Sequence, residues 1–256
     1  MIVALRSEWT KVRTLSGTGW MLIGAVALTV GSSAAVAAAL HVSSGSGQDP
    51  TRLSLTGIDL GQAVAAVFAV LAISEEYGTG MIRVSLSAAP RRLVLLVAKA
   101  ANVGVLVLIA GLLAVGGCLV VGRLMLPAGG LNPAHGYALV SVGDPATLRA
   151  AAGSVLYLVL VALLSLGVAT TIRDTTVSIG AVLGLLYLPP ILAEAVSDPL
   201  RRYLEQFAPM TAGLAIQATT NLRSLPIEPW AGLGVLAVWA SAALVAGGLL
   251  LRLRDA

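Results

Sequence analysis

Five charged side chains share one short window of an otherwise apolar chain: Glu75, Glu76, Arg83, Arg91 and Arg92, in the run SEEYGTGMIRVSLSAAPRR from Ser74 to Arg92. Two acids and three arginines this close give a compact polar surface that can fix register against a partner. Charge alone also fits a plain solvated loop. Other chemistry is sparse. There is no GxxxxGK[ST] run, and the two lysines, Lys11 and Lys99, stand in the wrong context for a phosphate-binding loop. There is no HExxH, no cysteine cluster, and no serine with a histidine and acid to activate it. His41 and His135 have no second ligand at metal-binding spacing, and the single Cys118 has no intramolecular disulfide partner. The apolar runs lack the chain of intramembrane carboxylates that proton-coupled carriers use. No enzymatic activity is expected of this chain.

The elements around the charged window are apolar. The 256 residues are 57% apolar and 11% charged, with a mean hydropathy of +0.93. A globular domain carries roughly 25% charged residues. An all-α polytopic membrane protein with six transmembrane helices is expected, at 17–40, 57–73, 93–121, 148–172, 175–193 and 230–251. The segment 74–92 must emerge into water between the second and third of these, because charge and turn residues are costly in hydrocarbon. Residues 1–16 are too polar to span. Leu5, Trp9, Val12 and Leu15 recur at helical spacing, which predicts an amphipathic helix lying at the lipid interface, with Trp9, Lys11 and Arg13 at the headgroups. An ordered tail free of the bilayer is the competing reading. The first apolar run exceeds the ~7–15 residues of a signal peptide core, so an uncleaved helix is expected.

Between the fifth and sixth spans, 194–229 predicts one or two short outer helices divided by Pro209, with Leu200, Tyr203, Leu204 and Phe207 on one face. Pro189-Pro190 is expected to end or kink the fifth span. Gly180 and Gly184 form a GxxxG, a spacing that lets two helices approach closely. Asp59 is expected at the outer mouth of the second span, and Lys99 is expected to snorkel to the headgroups. With both termini cytoplasmic, ten of the sixteen basic residues and five of the twelve acidic ones fall inside, a net of +5 against −1 outside. That is the asymmetry of the positive-inside rule, and it accounts for the basic pI without nucleic acid as a partner.

The order of these features resembles the membrane-spanning permease subunits of ABC transporters, specifically the ABC-2 type in its short actinobacterial form. The resemblance covers the whole chain. Its sharpest part is Glu76-Tyr77-x-x-Gly80-x-Ile82-Arg83, followed by Pro90-Arg91-Arg92 and then Ala98-Lys99. Met81 stands where that pattern usually has threonine. The opening, Leu5-Arg6-Ser7-Glu8-Trp9-Thr10-Lys11-Val12-Arg13-Thr14, is similar to the start of such subunits. The resemblance implies a bacterial plasma-membrane protein working as a dimer with a second copy or a sister permease. It also implies two separate ATP-binding subunits, which carry the ATP and Mg. Glu75, Glu76, Tyr77, Gly80, Ile82, Arg83, Pro90, Arg91 and Arg92 would dock the ATPase as a coupling loop, with a short helix over 81–88. The cargo would be a hydrophobic or amphipathic compound, such as a drug, peptide or lipid-like molecule. Its path would run between protomers along the first, second and fifth spans. A partner-independent carrier or channel, and a non-transporting scaffold or sensor subunit, remain the alternatives.

Overall fold

The computed structural model describes residues 16–40, 47–78 and 92–253, and every regular element among them is helical. Six long helices alternate in direction: α1 (Ser16–Ala39), α3 (Ile58–Gly78), α4 (Arg92–Met125), α5 (Pro145–Ile172), α6 (Thr175–Ala195) and α9 (Pro229–Leu253). Short helices occupy the connections: α2 (Pro50–Ser54), α7 (Asp198–Phe207) and α8 (Pro209–Leu214). Five helices, α1, α4, α5, α6 and α9, are long and apolar enough to cross a membrane. The chain is a multi-pass membrane protein. The apolar run of α3, Ile58–Ser74, is shorter than those five. The expected interface helix, with Trp9, Lys11 and Arg13, lies outside the described residues.

Sequence punctuation sets the helix starts. Asp49 and Asp144 each precede a proline and accept a hydrogen bond from the backbone N–H three residues on, Arg52 at 3.1 Å and Thr147 at 3.1 Å. The aspartate satisfies an orphan donor while proline occupies a position whose N–H would have no partner. Asp174 caps α6 through Val177 N at 2.8 Å. Just before it, Arg173 closes α5 in the left-handed region at φ 62°. The two-residue turn at Arg173-Asp174 is therefore a C-cap joined directly to an N-cap. It stands at the same end of the bundle as the α3–α4 junction, called here the turn end. The opposite end, with the connections 126–144 and 196–228, is the loop end.

Of the two outcomes expected at the proline pair, ending the helix fails. The helix α6 does not stop at Pro189-Pro190 but runs on to Ala195. Prolines are tolerated inside membrane helices where neighbours support the freed backbone, and α3, α7 and α8 all pack on α6. Among the described residues no other helix packs closely on Gly180-x-x-x-Gly184. Nothing approaches Gly180 within 4 Å, and Gly184 meets only Leu188 of its own helix.

The close approaches fall at other glycines. Gly57 and Gly61 stand one turn apart at the start of α3, where added Cβ atoms would run into the Thr29 carbonyl and hydroxyl of α1. Gly57 N donates to Ser33 Oγ at 2.9 Å, and Ser33 Oγ donates to Cys118 Sγ of α4 at 3.2 Å. Small residues let these three backbones meet, and the polar atoms there find partners without water. Cys118 is fully buried in this junction, as expected of a small core residue.

The hub is α5. In its apolar window 61% of residues are buried, against 17% in α1 and 22% in α6, so α5 is the interior helix while α1 and α6 present broad faces outward. Gly167 of α5 lies against Ala243 of α9, and Gly247 of α9 against Thr170 and the Gly167 carbonyl, which brings α5 and α9 close near the turn end.

A glycine pair separates steric need from glycine's general cost in helices. Gly61→Ala should destabilise the protein by about 1–3 kcal/mol through overpacking. Gly116→Ala, on an open stretch of α4 with nothing within 4 Å, should be neutral or stabilising, because alanine is the better helix former. Thermal unfolding of the detergent-solubilised protein checks this, and a lower midpoint for Gly116→Ala than for Gly61→Ala would refute the packing assignment.

Candidate functional site

Of the residues singled out by sequence, the described ones, Glu75, Glu76, Tyr77, Arg92 and Lys99, lie toward the turn end. Helix α3 continues past Ser74, so Glu75, Glu76 and Tyr77 belong to its last turn, and the charged segment leaves the helix at Gly78 rather than at 74. Nothing before Gly78 breaks a helix, whereas glycine commonly ends one. Arg92 is the first residue of α4. Gly80, Ile82, Arg83, Pro90 and Arg91, with the expected short helix over 81–88, lie outside the described residues.

Lys99 corrects a second expectation. It does not snorkel outward: it is 4% exposed, and its Nζ donates to the Ala72 carbonyl at 2.6 Å. A buried ammonium must be paired or hydrogen-bonded to be tolerated. A carbonyl near the C-terminal end of a helix is a favourable acceptor for it, since the helix dipole is negative there. The consequence is geometric. Lys99 ties the second turn of α4 to the last two turns of α3, so the charged segment leaves and re-enters the bundle at one clamped point.

A second polar assembly lies toward the loop end. Gln62 of α3 is fully buried. Its Nε2 donates to the Asp59 carbonyl at 3.2 Å and to Met210 Sδ of α8 at 3.2 Å. Its Oε1 accepts from the hydroxyl of Tyr157, a fully buried residue of α5. Tyr187 of α6 donates its hydroxyl to the same Asp59 carbonyl. One glutamine and one carbonyl thus join four helices. Asp59 itself stands half-buried in the first turn of α3, at the loop end.

Nearby, Asp49 holds the connection before α9. Its carboxylate accepts from Thr219 N at 2.5 Å, Thr219 Oγ1 at 2.7 Å and Thr220 N at 3.0 Å. Arg149 Nη2 donates to the Ala218 carbonyl at 2.5 Å. Thr51 and Thr147 share a buried hydrogen bond of 3.1 Å between α2 and α5. These contacts fasten helices, and none places a nucleophile against a base. No group of three or more metal-ligating side chains occurs among the described residues.

The sequence reading passed over Gln62, Tyr157 and Tyr187. A signal existed for Gln62, because an amide inside an apolar run must find partners for its donors and acceptors. Nothing in the sequence named Tyr157 as the partner, 95 residues on.

Around α7 the structure follows the expected pattern. Leu200, Tyr203 and Phe207 form an exposed apolar face, with Tyr203 and Phe207 stacked at 6.0 Å between ring centroids. Arg201 and Glu205 pair at 2.8 Å. An amphipathic helix with an open apolar face suits the membrane surface.

No family model matches the chain, and no characterised protein matches it in sequence.

The buried node can be tested by a double-mutant cycle. Tyr157→Phe strands the Gln62 carbonyl oxygen and should cost about 1–3 kcal/mol. With Gln62→Leu added, much of that loss should return, because both partners are then apolar. Unfolding midpoints that simply add across the two substitutions would show that no such bond couples them.

Proposed function

We propose that this chain is the membrane permease subunit of an ATP-driven transporter of the ABC-2 type, with its ATPase on a separate subunit. On this reading α3 is the sixth crossing and both termini face the cytoplasm. The observation that carries the proposal is the Lys99–Ala72 bond at the root of the charged segment. Ala98-Lys99 belongs to the same pattern as Glu76-Tyr77-x-x-Gly80-x-Ile82-Arg83 and Pro90-Arg91. Its lysine clamps the two helices from which the rest of the pattern projects. A loop that must transmit force needs such a root, since a push on a loosely held loop is lost in the loop itself.

The charged residues would then fix register against a groove on the ATPase. ATP binding, by closing two ATPases, would move the segment and with it α3 and α4, shifting the population between two access states. The broad uncovered faces of α1 and α6, with α3 packed between them, support a second permease copy or sister subunit on that side and a cargo path at the seam. A path walled by alanine, valine and leucine suits a hydrophobic or amphipathic cargo, carried outward.

The test is a pull-down of the full chain in mild detergent, assayed for a co-purifying ATPase, beside Glu76→Ala/Arg83→Ala. Wild type should recover an ATP-binding subunit and the double variant should lose it. Recovery by both would keep the transporter class and move the docking surface elsewhere. No ATPase with wild type in several detergents would reject the proposal and favour a carrier that works alone.

A further inference from the structure

The turn end carries a groove that the permease reading does not use. It lies between the first two turns of α4 and the closing turns of α9, with a volume of about 280 Å³. Leu93, Leu96 and Val97 form one wall and Val245, Gly248 and Leu249 the other. The helices meet at its floor, where a Cβ on Gly248 would stand 3.1 Å from Leu93 Cδ2 and 3.5 Å from Leu96 Cδ2. Val97 and Val245 are 53% and 60% exposed, so the groove opens sideways to the hydrocarbon rather than into the bundle. A second apolar groove, between α1 and α4, has no charged residue beside it along either helix.

Charge distinguishes the first groove. Arg92, the first residue of α4, immediately precedes Leu93, and Arg252 follows Leu249 by less than one turn of α9. Because Gly248 sits against Leu93 and Leu96, these two helix ends come together at the same end of the groove. Two arginine positions therefore stand where an apolar, lipid-facing cleft reaches the membrane boundary. That is the pattern of a bound lipid with a negative headgroup: an acyl chain in the cleft and basic residues at the helix ends beside it.

We propose that the α4–α9 groove is a binding site for an anionic phospholipid, with one acyl chain between Val97 and Val245 and the phosphate at Arg92 and Arg252. Apolar fit alone would accept any phospholipid, and the arginines supply the preference for negative charge. The site depends only on the protein's being embedded in lipid and stands whether or not an ATPase partners the chain. It also gives Arg252 a role apart from orientation, and Arg92 one apart from docking. A lipid lodged there would bridge the start of α4 to the end of α9.

Native mass spectrometry of the purified full chain can test this, by titration with phosphatidylglycerol and with phosphatidylcholine of the same acyl chains. Phosphatidylglycerol should bind more tightly. Arg92→Gln/Arg252→Gln should weaken it roughly tenfold or more, since each basic residue near an anionic lipid surface contributes about 1 kcal/mol, a factor of about five, and should leave phosphatidylcholine unchanged. Val97→Trp, which fills the groove from an exposed position, should weaken both lipids. Arg201→Gln/Arg202→Gln, at the opposite end of the molecule, should change neither. Equal binding of the two lipids by wild type would overturn the proposal. So would a preference that survives Arg92→Gln/Arg252→Gln, or one lost equally with Arg201→Gln/Arg202→Gln. Should the first double variant fail to purify, binding of both lipids must still weaken with Val97→Trp and the preference for phosphatidylglycerol must fall with added salt, and failure of either would refute the site.

Discussion

In hydrocarbon a helix gains nothing by exchanging lipid for leucine, so helix α3 keeps its place by close fit and by hydrogen bonds. Everything else in the bundle is arranged around that constraint. At its start, Gly57 and Gly61 bring α3 against Thr29 and Ser33 of α1. One turn on, Gln62 joins it to α5 and α8. Near its other end, Ala72 accepts from Lys99 of α4. Each device is a polar or steric match that greasy packing could not supply. Together they make the helix with the shortest apolar run the one that α1, α4, α5, α6 and α8 all engage.

Much of this fold could be read from sequence because the bilayer imposes length and polarity on each crossing. The long helices begin and end within a few residues of the apolar runs. The largest departure is α3, which overshoots its expected end at 73 to finish at Gly78. That overshoot has a cause: Ser74 to Tyr77 are polar enough to end an apolar run but contain nothing that ends a helix. In α6 the proline pair, expected to end or kink the span, lies within a helix that continues to Ala195.

Pairwise contacts were not legible in the same way. The sequence offers two GxxxG spacings, Gly57-x-x-x-Gly61 and Gly180-x-x-x-Gly184. Spacing marks a smooth face, but only the fold decides whether another helix arrives there. The first receives α1, and the second stays open to the outside. Lys99 teaches a related lesson. A lysine near a helix end can reach the headgroups or turn inward, and the choice depends on an acceptor in another helix, here Ala72. Glu76 and Arg83 were proposed for docking from a pattern in the sequence, whereas the Lys99–Ala72 bond that joins α4 to α3 came from the structure.

The two ends of the bundle are built differently, and this bears on how motion could pass through it. At the loop end, Asp49 grips Thr219 and Thr220, Arg149 grips Ala218, and Gln62, Tyr157 and Tyr187 join four helices through one node. At the turn end α5 and α9 meet at Gly167 and Gly247, and Lys99 ties α4 to the Ala72 carbonyl of α3. The polar node holds the far ends of α3, α5 and α6 together, while Lys99 holds α3 to α4 near the charged segment. Parting buried hydrogen bonds in an apolar medium costs far more than sliding apolar faces past one another, so any rocking motion would turn about such a node. On the permease reading this makes the node a fulcrum and Lys99 the point where the push is applied. Both ends of α3 must then hold for the helix to act as a lever.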